Sequence, residues 1–421
     1  MKKKLFYIGL GIAVVVLVFV GYHYVRFLQA TARMKELSAD LKKRIVEWEK
    51  KEYRRPPLFG PAVPGNAAEY YKKAIEKKIE KSEDIQDALW DSLYKFPYEN
   101  KPLKPELLEW AKSYTVRIDL LKKGSNTESA KPLVHPRDKL SLTAARSLIR
   151  DVMVILGKDM EDNNKFLEAI ELYCTSIRFG DDYRSNGQLI QMLVGIAFSS
   201  DGQGRIKKVL LYDKLNEGEL VKLSGYLKTL IDSYPTFQNT WESEIVFMGV
   251  LIKEESEKRG FIPEKDDFWG WSNRTDFIDF WIDSVLLCND VAKVITGSCA
   301  QVSDRINQVE ESYKKSKANI LVGGITGCYD KQMILDAGRK GIYILAALKL
   351  YKLRHGAYPE TLDKLAPAII PTVPLDPFSD QSFIYRVDTD GGLFLYSVGA
   401  DLKDDNADPK KDIVISPKEK K

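Results

Sequence analysis

At 421 residues the chain is too long for one compact core and suggests two or three domains. Its 64 Lys and Arg nearly cancel its 60 Asp and Glu, and the residual +4 is spread along the chain, so nucleic acid is excluded as an expected partner. The four cysteines, Cys174, Cys288, Cys299 and Cys328, lie too far apart for a zinc or redox spacing. They read as buried small side chains or, outside the cytoplasm, as a disulfide among the last three.

The first predicted element is a membrane anchor. After Met1-Lys2-Lys3-Lys4, the stretch Leu5 to Val25 is long enough to cross about 30 Å of hydrocarbon as one uncleaved transmembrane helix. Its Leu, Ile, Val and Phe residues together favour insertion by about 4 to 7 kcal/mol. Tyr22, Tyr24 and Arg26 read as an interfacial collar with His23 at headgroup level. A cleaved leader needs small residues just after the apolar core, and Ala30-Thr31-Ala32 comes about a dozen residues too late. The N-terminal lysines favour a cytoplasmic tip, which places the body outside a bacterial inner (cytoplasmic) membrane, with the lipid bilayer as its first partner.

From Phe27 to about Lys51 the apolar residues Leu28, Met34, Leu37, Leu41, Ile45 and Trp48 recur at helical steps, and predict a stalk continuing the membrane helix. Arg55-Pro56-Pro57 stops it, because proline removes a donor and restricts the residue before it. Residues 58–65 read as a loop, Ala67 to Tyr71 and Glu106 to Leu121 as helices, and Lys123 to Pro136 as a polar connector. Leu140 to Leu156 and Lys165 to Phe179 form the clearest pair, with Ala169 and Thr175 where a neighbour must come close. This pair resembles a tetratricopeptide-type hairpin; no fixed period repeats it, so an irregular helical bundle is the expected body. Further helices are predicted over Leu189–Phe198, Leu220–Ile231, Trp241–Ser256, Phe277–Val294 and Ala300–Lys317. Phe261, Phe268, Trp269, Trp271, Phe277, Phe280 and Trp281 crowd together, either as a core plug or as a membrane- or partner-facing patch.

The texture changes after Gly323-Gly324 and Gly327. One last helix, about Tyr329 to Arg354, leads into His355-Gly356-Ala357-Tyr358-Pro359, Pro374-Leu375-Asp376-Pro377-Phe378 and two aromatic-rich strands, Phe383–Arg386 and Gly392–Ser397. Asp390-Gly391 between the strands is a hairpin signal. In this order the motifs resemble the globular part of the major pseudopilin (type G) of type II secretion systems, over about Gln332 to Val414. The chain departs from that family in lacking its prepilin leader and in the long segment that precedes the match. The layout is also similar to uncharacterised membrane-anchored bacterial proteins with the same tail. The resemblance implies a calcium loop: Asp401 and Asp412 match its aspartates, Asp408 an acidic position between them, and the Val398 carbonyl a backbone ligand, with Asp404 and Asp405 where glycine is usual. Ca²⁺ wants six to eight oxygens, and five carboxylates so close together repel unless screened. Lys403, Lys410 and Lys411 act against it, and a solvated acidic loop is the other reading.

No catalytic constellation is legible. The histidines His23, His135 and His355 are unpaired along the chain, and Gly323-Gly324-Ile325-Thr326-Gly327 lacks the lysine of a phosphate loop. The expected fold class is therefore mainly α: an N-terminal transmembrane helix (1–26), a helical stalk (27–57), an irregular, partly tetratricopeptide-like helical domain (58–325) and a small α+β pseudopilin-like domain (326–421). The expected function is a non-catalytic extracytoplasmic protein making contacts with protein partners. The alternatives are a component or relative of a type II secretion or pilus-type machine and a carboxylate-based hydrolase.

Overall fold

The computed structural model describes residues 2–94, 103–131, 133, 142–185, 187–259, 270–295, 299–321, 324–388 and 392–416, with only the backbone for 2–15, 94, 253, 255–259, 270–274, 300 and 320. It is mainly helical, with two small three-stranded sheets. The chain divides into two compact units: one holds 1–50, 241–295 and 305–326, the other 51–240, 296–304 and 327–421. This division groups the C-terminal tail with the helices of 51–240, a different grouping from the sequence-based boundaries.

The first unit is built on α1 (Lys2–Glu49), unbroken through the predicted membrane boundary. From residue 27 on, its buried residues are Phe27, Ala30, Met34, Leu41 and Trp48, spaced by threes, fours and sevens as in a coiled-coil seam. The predicted stalk is thus a packed helix. Leu28, expected on the packed face, is exposed, because the seam runs one position away. Trp48 Nε1 donates to Ser243 Oγ (3.1 Å) on α11 (Phe237–Arg259), and Arg26 meets Asp279 (2.5 Å) on α12 (Gly270–Val294). Of the predicted span, Leu5 to Val15 lie outside the described side chains. Among the described residues no helix is long and apolar enough to cross a membrane.

The second unit contains both sheets. β1 (Tyr53–Arg54), β2 (Val63–Asn66) and β3 (Thr127–Ala130) lie in the order β1-β3-β2, β3 antiparallel to β1 and parallel to β2. Residues 58–65 and 123–136 were expected as loop and connector, but part of each pairs as strand. The ladder is polar, so no apolar alternation announces it. Asn126 ties it together, its side chain accepting from Phe59 N (2.6 Å) and its carbonyl from Val63 N (2.9 Å). Asn66 then caps α2 (Ala67–Ile75) by accepting from Ala68 N.

The helices follow in chain order: α3 (Glu83–Leu89), α4 (Pro105–Lys112), α5 (Thr115–Ser125), α6 (Leu142–Ser147), α7 (Met153–Asp162), α8 (Phe166–Arg184), α9 (Leu189–Leu211) and α10 (Glu217–Asp232). The predicted helix 106–121 is two, and the first partner of the hairpin is α6 and α7 joined by one π-helical segment, Leu148–Val152. Helix α8 outruns its prediction by a turn and from Leu172 onward is buried on every side. It packs on α9 through glycines: a Cβ at Gly180 would lie 2.6 Å from the Gly195 carbonyl, and one at Gly195 would overlap the Gly180 carbonyl. The α13 helix (Cys299–Tyr313) is divided between the units, and α14 (Ile325–His355) starts four residues before its prediction. Glu310 fixes that start by accepting from Ile325 N (3.0 Å) and Thr326 Oγ1 (2.9 Å).

Beyond α14, β4 (Ile384–Val387), β5 (Leu393–Ser397) and β6 (Ile413–Ser416) make an antiparallel sheet in sequence order. The expected β4–β5 hairpin is present; its Asp390-Gly391 turn lies outside the described residues. Leu395 and Ile415 share one core with Ile342, Leu345 and Leu348 of α14, Ile170 and Ile177 of α8, and Leu223 and Leu227 of α10. None of the four cysteines forms a disulfide, so the alternative of a bridge among the last three is not borne out. Because the α8–α9 contact is backbone on backbone, Gly195→Ala should lower unfolding stability by about 1 to 3 kcal/mol, the usual cost of overpacking. A urea midpoint that falls at unchanged slope is the expected readout.

Candidate functional site

The C-terminal loop expected to bind calcium runs from β5 to β6. Asp401, Asp404 and Asp408 each accept the backbone N–H two residues on, from Lys403 (3.1 Å), Asn406 (2.9 Å) and Lys410 (3.0 Å). These are Asx turns, the local job that aspartate does well in a loop. Asp404 also accepts from Tyr396 OH (2.7 Å), and that bond, with the Asn406 N–H, holds its carboxyl below the usual range.

Asp405 and Asp412 are placed differently. Asp412 is buried, and its Oδ2 accepts from Asp408 N (3.1 Å). Desolvation raises its pKa against the backbone N–H groups of Asp405, Ala407 and Asp408, and the nearby Asp405 charge raises it further. Asp405 Oδ1 pairs with Lys411 Nζ (2.7 Å). That leaves Asp405 Oδ2 and Asp412 Oδ1 buried with no hydrogen-bond partner. The backbone is pinned there by left-handed residues Leu402 (φ 59°), Asn406 (φ 58°) and Ala407 (φ 63°), and by Gly399 (φ 66°), whose missing Cβ admits the Lys411 carbonyl. Among the described residues no group of three or more His, Cys, Asp or Glu side chains is arranged to hold a metal.

Asp376, quoted in the sequence only as part of a turn, anchors this loop from below. Its Oδ1 accepts from Phe378 N (3.0 Å) and Ser397 Oγ (2.9 Å), and its Oδ2 from Val398 N (3.1 Å). It thus joins the Asp-Pro-Phe turn to the end of β5. Burial raises its pKa, and the three donors act against that.

A second constellation, not foreseen, sits at the C-terminal end of α8. Arg178, Asp181, Asp182 and Arg184 are all almost fully buried, together with Arg55 from the start of the unit and Arg339 from α14. Asp181 takes both Arg339 Nη1 (2.6 Å) and Nη2 (2.8 Å), and also Arg184 Nε (3.3 Å). Those two guanidinium groups flank the Tyr234 ring at 4.3 and 4.4 Å. Asp182 takes Tyr71 OH (2.7 Å), Tyr53 OH (3.2 Å) and Arg55 Nη2 (3.0 Å). Desolvation pushes Asp181 up, but Arg339 and Arg184 outweigh it and its carboxyl stays below the ordinary range. For Asp182 desolvation prevails over Arg55 and Arg178, and its pKa is raised. Desolvation, with Arg55 nearby, lowers Arg178 to about 10. Four guanidinium groups against two carboxylates make this a structural ion network with no spare base.

No local pattern in the sequence marked this cluster. From Leu172 to Arg184 every residue of α8 is buried, whereas Glu168 and Glu171 keep one face of its first turns polar, so the charged run is carried into the interior by what packs around the end of the helix. The histidines stay apart: His23 touches Phe19, His355 stacks on Tyr351, and His135 lies outside the described residues. An open groove of about 470 Å³ is lined by Lys158, Glu161, Asp162, Phe166, Lys208 and Tyr212, among others. Glu161 there accepts from Tyr173 OH (2.5 Å) and Asp162 pairs with Lys158 (3.4 Å), so both carboxylates are engaged. No family model matches the chain, and no curated protein and no solved structure is significantly similar to it.

Asp181→Asn would strip the buried Arg184 and Arg339 of their counter-charge, so a loss of about 3 to 5 kcal/mol in urea unfolding is expected. The pH dependence follows in sign. A depressed carboxyl contributes fully above its unfolded pKa of about 3.9 and loses that contribution as pH falls through the folded value, so the variant should show a shallower stability decline on the acid side. An unchanged acid limb would contradict the assignment.

Proposed function

We propose that the chain is a membrane-anchored, extracytoplasmic protein of a bacterial inner membrane that acts through protein contacts rather than catalysis, with a C-terminal head steadied by calcium. The observation that carries the anchor is a change of exposure along α1. Val16 (52%), Leu17 (69%), Val18 (67%) and Phe19 (57%) are exposed on successive positions, and so are Tyr22, Tyr24 and Val25. From Phe27 on, burial follows a single seam. A helix that is apolar on all sides suits hydrocarbon, whereas one with a single apolar stripe suits a protein partner in water.

Support for calcium comes from the two buried carboxylate oxygens without a donor, since a buried charge of that kind calls for a counter-ion. The cation would be held by Asp405 and Asp412, and the resemblance adds Asp401, Asp408 and the Val398 carbonyl. A second reading, kinship with a type II secretion or pilus-type machine, is favoured by the tail alone: a long helix, the Asp376 turn and an antiparallel sheet follow in the order of the motifs quoted above. Co-purification of secretion components in mild detergent would promote it.

Two measurements test the main reading. Full-length protein should stay in the membrane pellet after alkaline carbonate washing, and added protease should digest the body in spheroplasts; release into the wash would end the anchor. Calcium with a dissociation constant on the order of 10⁻⁴ to 10⁻³ M should, at ten times that concentration, stabilise the full chain by about 1.4 kcal/mol. Asp412→Asn should abolish this response, and a wild-type melting curve indifferent to millimolar calcium would remove the metal from the proposal.

A further inference from the structure

The buried ion network of the second unit holds one arginine that no carboxylate answers. Asp181 is taken by Arg184 and Arg339, and Asp182 by Arg55. Arg178 is only 1% exposed, and among the described residues no carboxylate lies within ion-pair distance of it. Its Nη1 donates to Ser233 Oγ (2.7 Å), its Nη2 reaches the Pro56 carbonyl only at 3.5 Å, and its Nε has no hydrogen-bond partner. Losing a proton is no escape, because burial and the nearby Arg55 lower its pKa to about 10 and leave it charged at neutral pH.

Arg55 stands beside it, since the acceptor of Arg178 Nη2 is the carbonyl of the very next residue, Pro56. Its own Nη2 serves Gly124 O (2.8 Å), Thr127 Oγ1 (3.4 Å) and Asp182 Oδ2 (3.0 Å), while its Nε and Nη1 have no acceptor. Three buried guanidinium nitrogens in one region of the unit thus lack an acceptor. The hydroxyl groups around them are turned elsewhere. Tyr53 and Tyr71 donate to Asp182, Thr127 to the Gly124 carbonyl and Ser233 to the Thr229 carbonyl.

We propose that Arg55 and Arg178 hold a small monovalent anion of the chloride class inside the second unit, where the chain leaving β1 meets α8 and the end of α10. A buried charge is tolerated only when it is paired, and an anion supplies the pair that the chain does not. Water would satisfy the N–H groups and leave the charge. A phosphate or sulfate would bring a second negative charge, and four oxygens for three free nitrogens. A halide cancels the one unmatched charge and accepts from several N–H groups without needing an orientation. The stability of the second unit then depends on the halide content of the solution, independently of the anchor and of calcium.

The test uses full-length protein in mild detergent with a chelator present, dialysed exhaustively into sodium gluconate. Gluconate is then replaced by chloride at constant ionic strength, which holds general screening equal. The melting temperature should rise with chloride and level off, by about 2 to 4 °C at ten times the dissociation constant, and bromide should act likewise. Arg178→Met keeps much of the stem and removes the charge, so it should lose the response; Lys208→Met, at an exposed lysine, should keep it. Wild-type melting indifferent to chloride would overturn the proposal, and so would an equal rise in wild type and Arg178→Met. Should Arg178→Met fail to fold, crystals of the wild type grown in bromide decide: an anomalous bromine peak between Arg55 and Arg178 supports the site, and water alone there rejects it.

Discussion

The second unit depends on two adjacent aspartates buried at the end of one helix. Neighbouring residues of an α-helix point about 100° apart, so Asp181 and Asp182 face different partners from one backbone position. Asp181 reaches Arg339 on α14 and Asp182 reaches Arg55 beside β1 and Tyr71 on α2. Elements more than a hundred residues apart are thereby fixed to the same turn of α8. Burying such charges costs several kcal/mol each, and each of the four oxygens of the two carboxylates meets at least one donor or guanidinium, which offsets part of that cost. A hydrophobic substitute of similar volume would fill the space, but it would not specify which helix meets which.

The same logic of a buried carboxylate recurs in the tail. Asp376 gathers Phe378 N, Ser397 Oγ and Val398 N, so a turn and a strand end are joined by one side chain. Above it, Asp412 plays this part for the acidic loop but keeps one oxygen without a donor. The difference between the two is the physical basis of the calcium proposal. Because the sheet's inner residues share a core with α8 and α10, the head is stabilised by the rest of its unit. That sharing explains why the tail groups with residues 51–240 in space.

In the first unit, α1 changes character within one unbroken helix. Its side chains change from apolar on all sides to a heptad seam within about one turn, at Arg26. The Arg26 pair with Asp279 lies at that change, and Phe277, Phe280 and Trp281 are half-buried or buried nearby, in edge-on ring contact. These three members of the aromatic cluster are at least partly packed; the others lie outside the described side chains.

Much of the helical architecture was determined locally. Apolar periodicity, glycine and proline stops and aromatic alternation are properties of neighbouring residues, and they marked α10, α14 and the β4–β5 pair within about a turn, while α7, α8 and α12 outran their predicted ends by about five to seven residues. The acidic loop was legible as a candidate for the same reason, since its aspartates lie close together in the chain. Tertiary structure alone decided that Arg178-Phe179-Gly180-Asp181-Asp182-Tyr183-Arg184 is interior, because a charge run is buried only when partners arrive from distant segments. It also decided the β1-β3-β2 sheet, whose polar strands owe their existence to backbone pairing and not to a pattern of side chains.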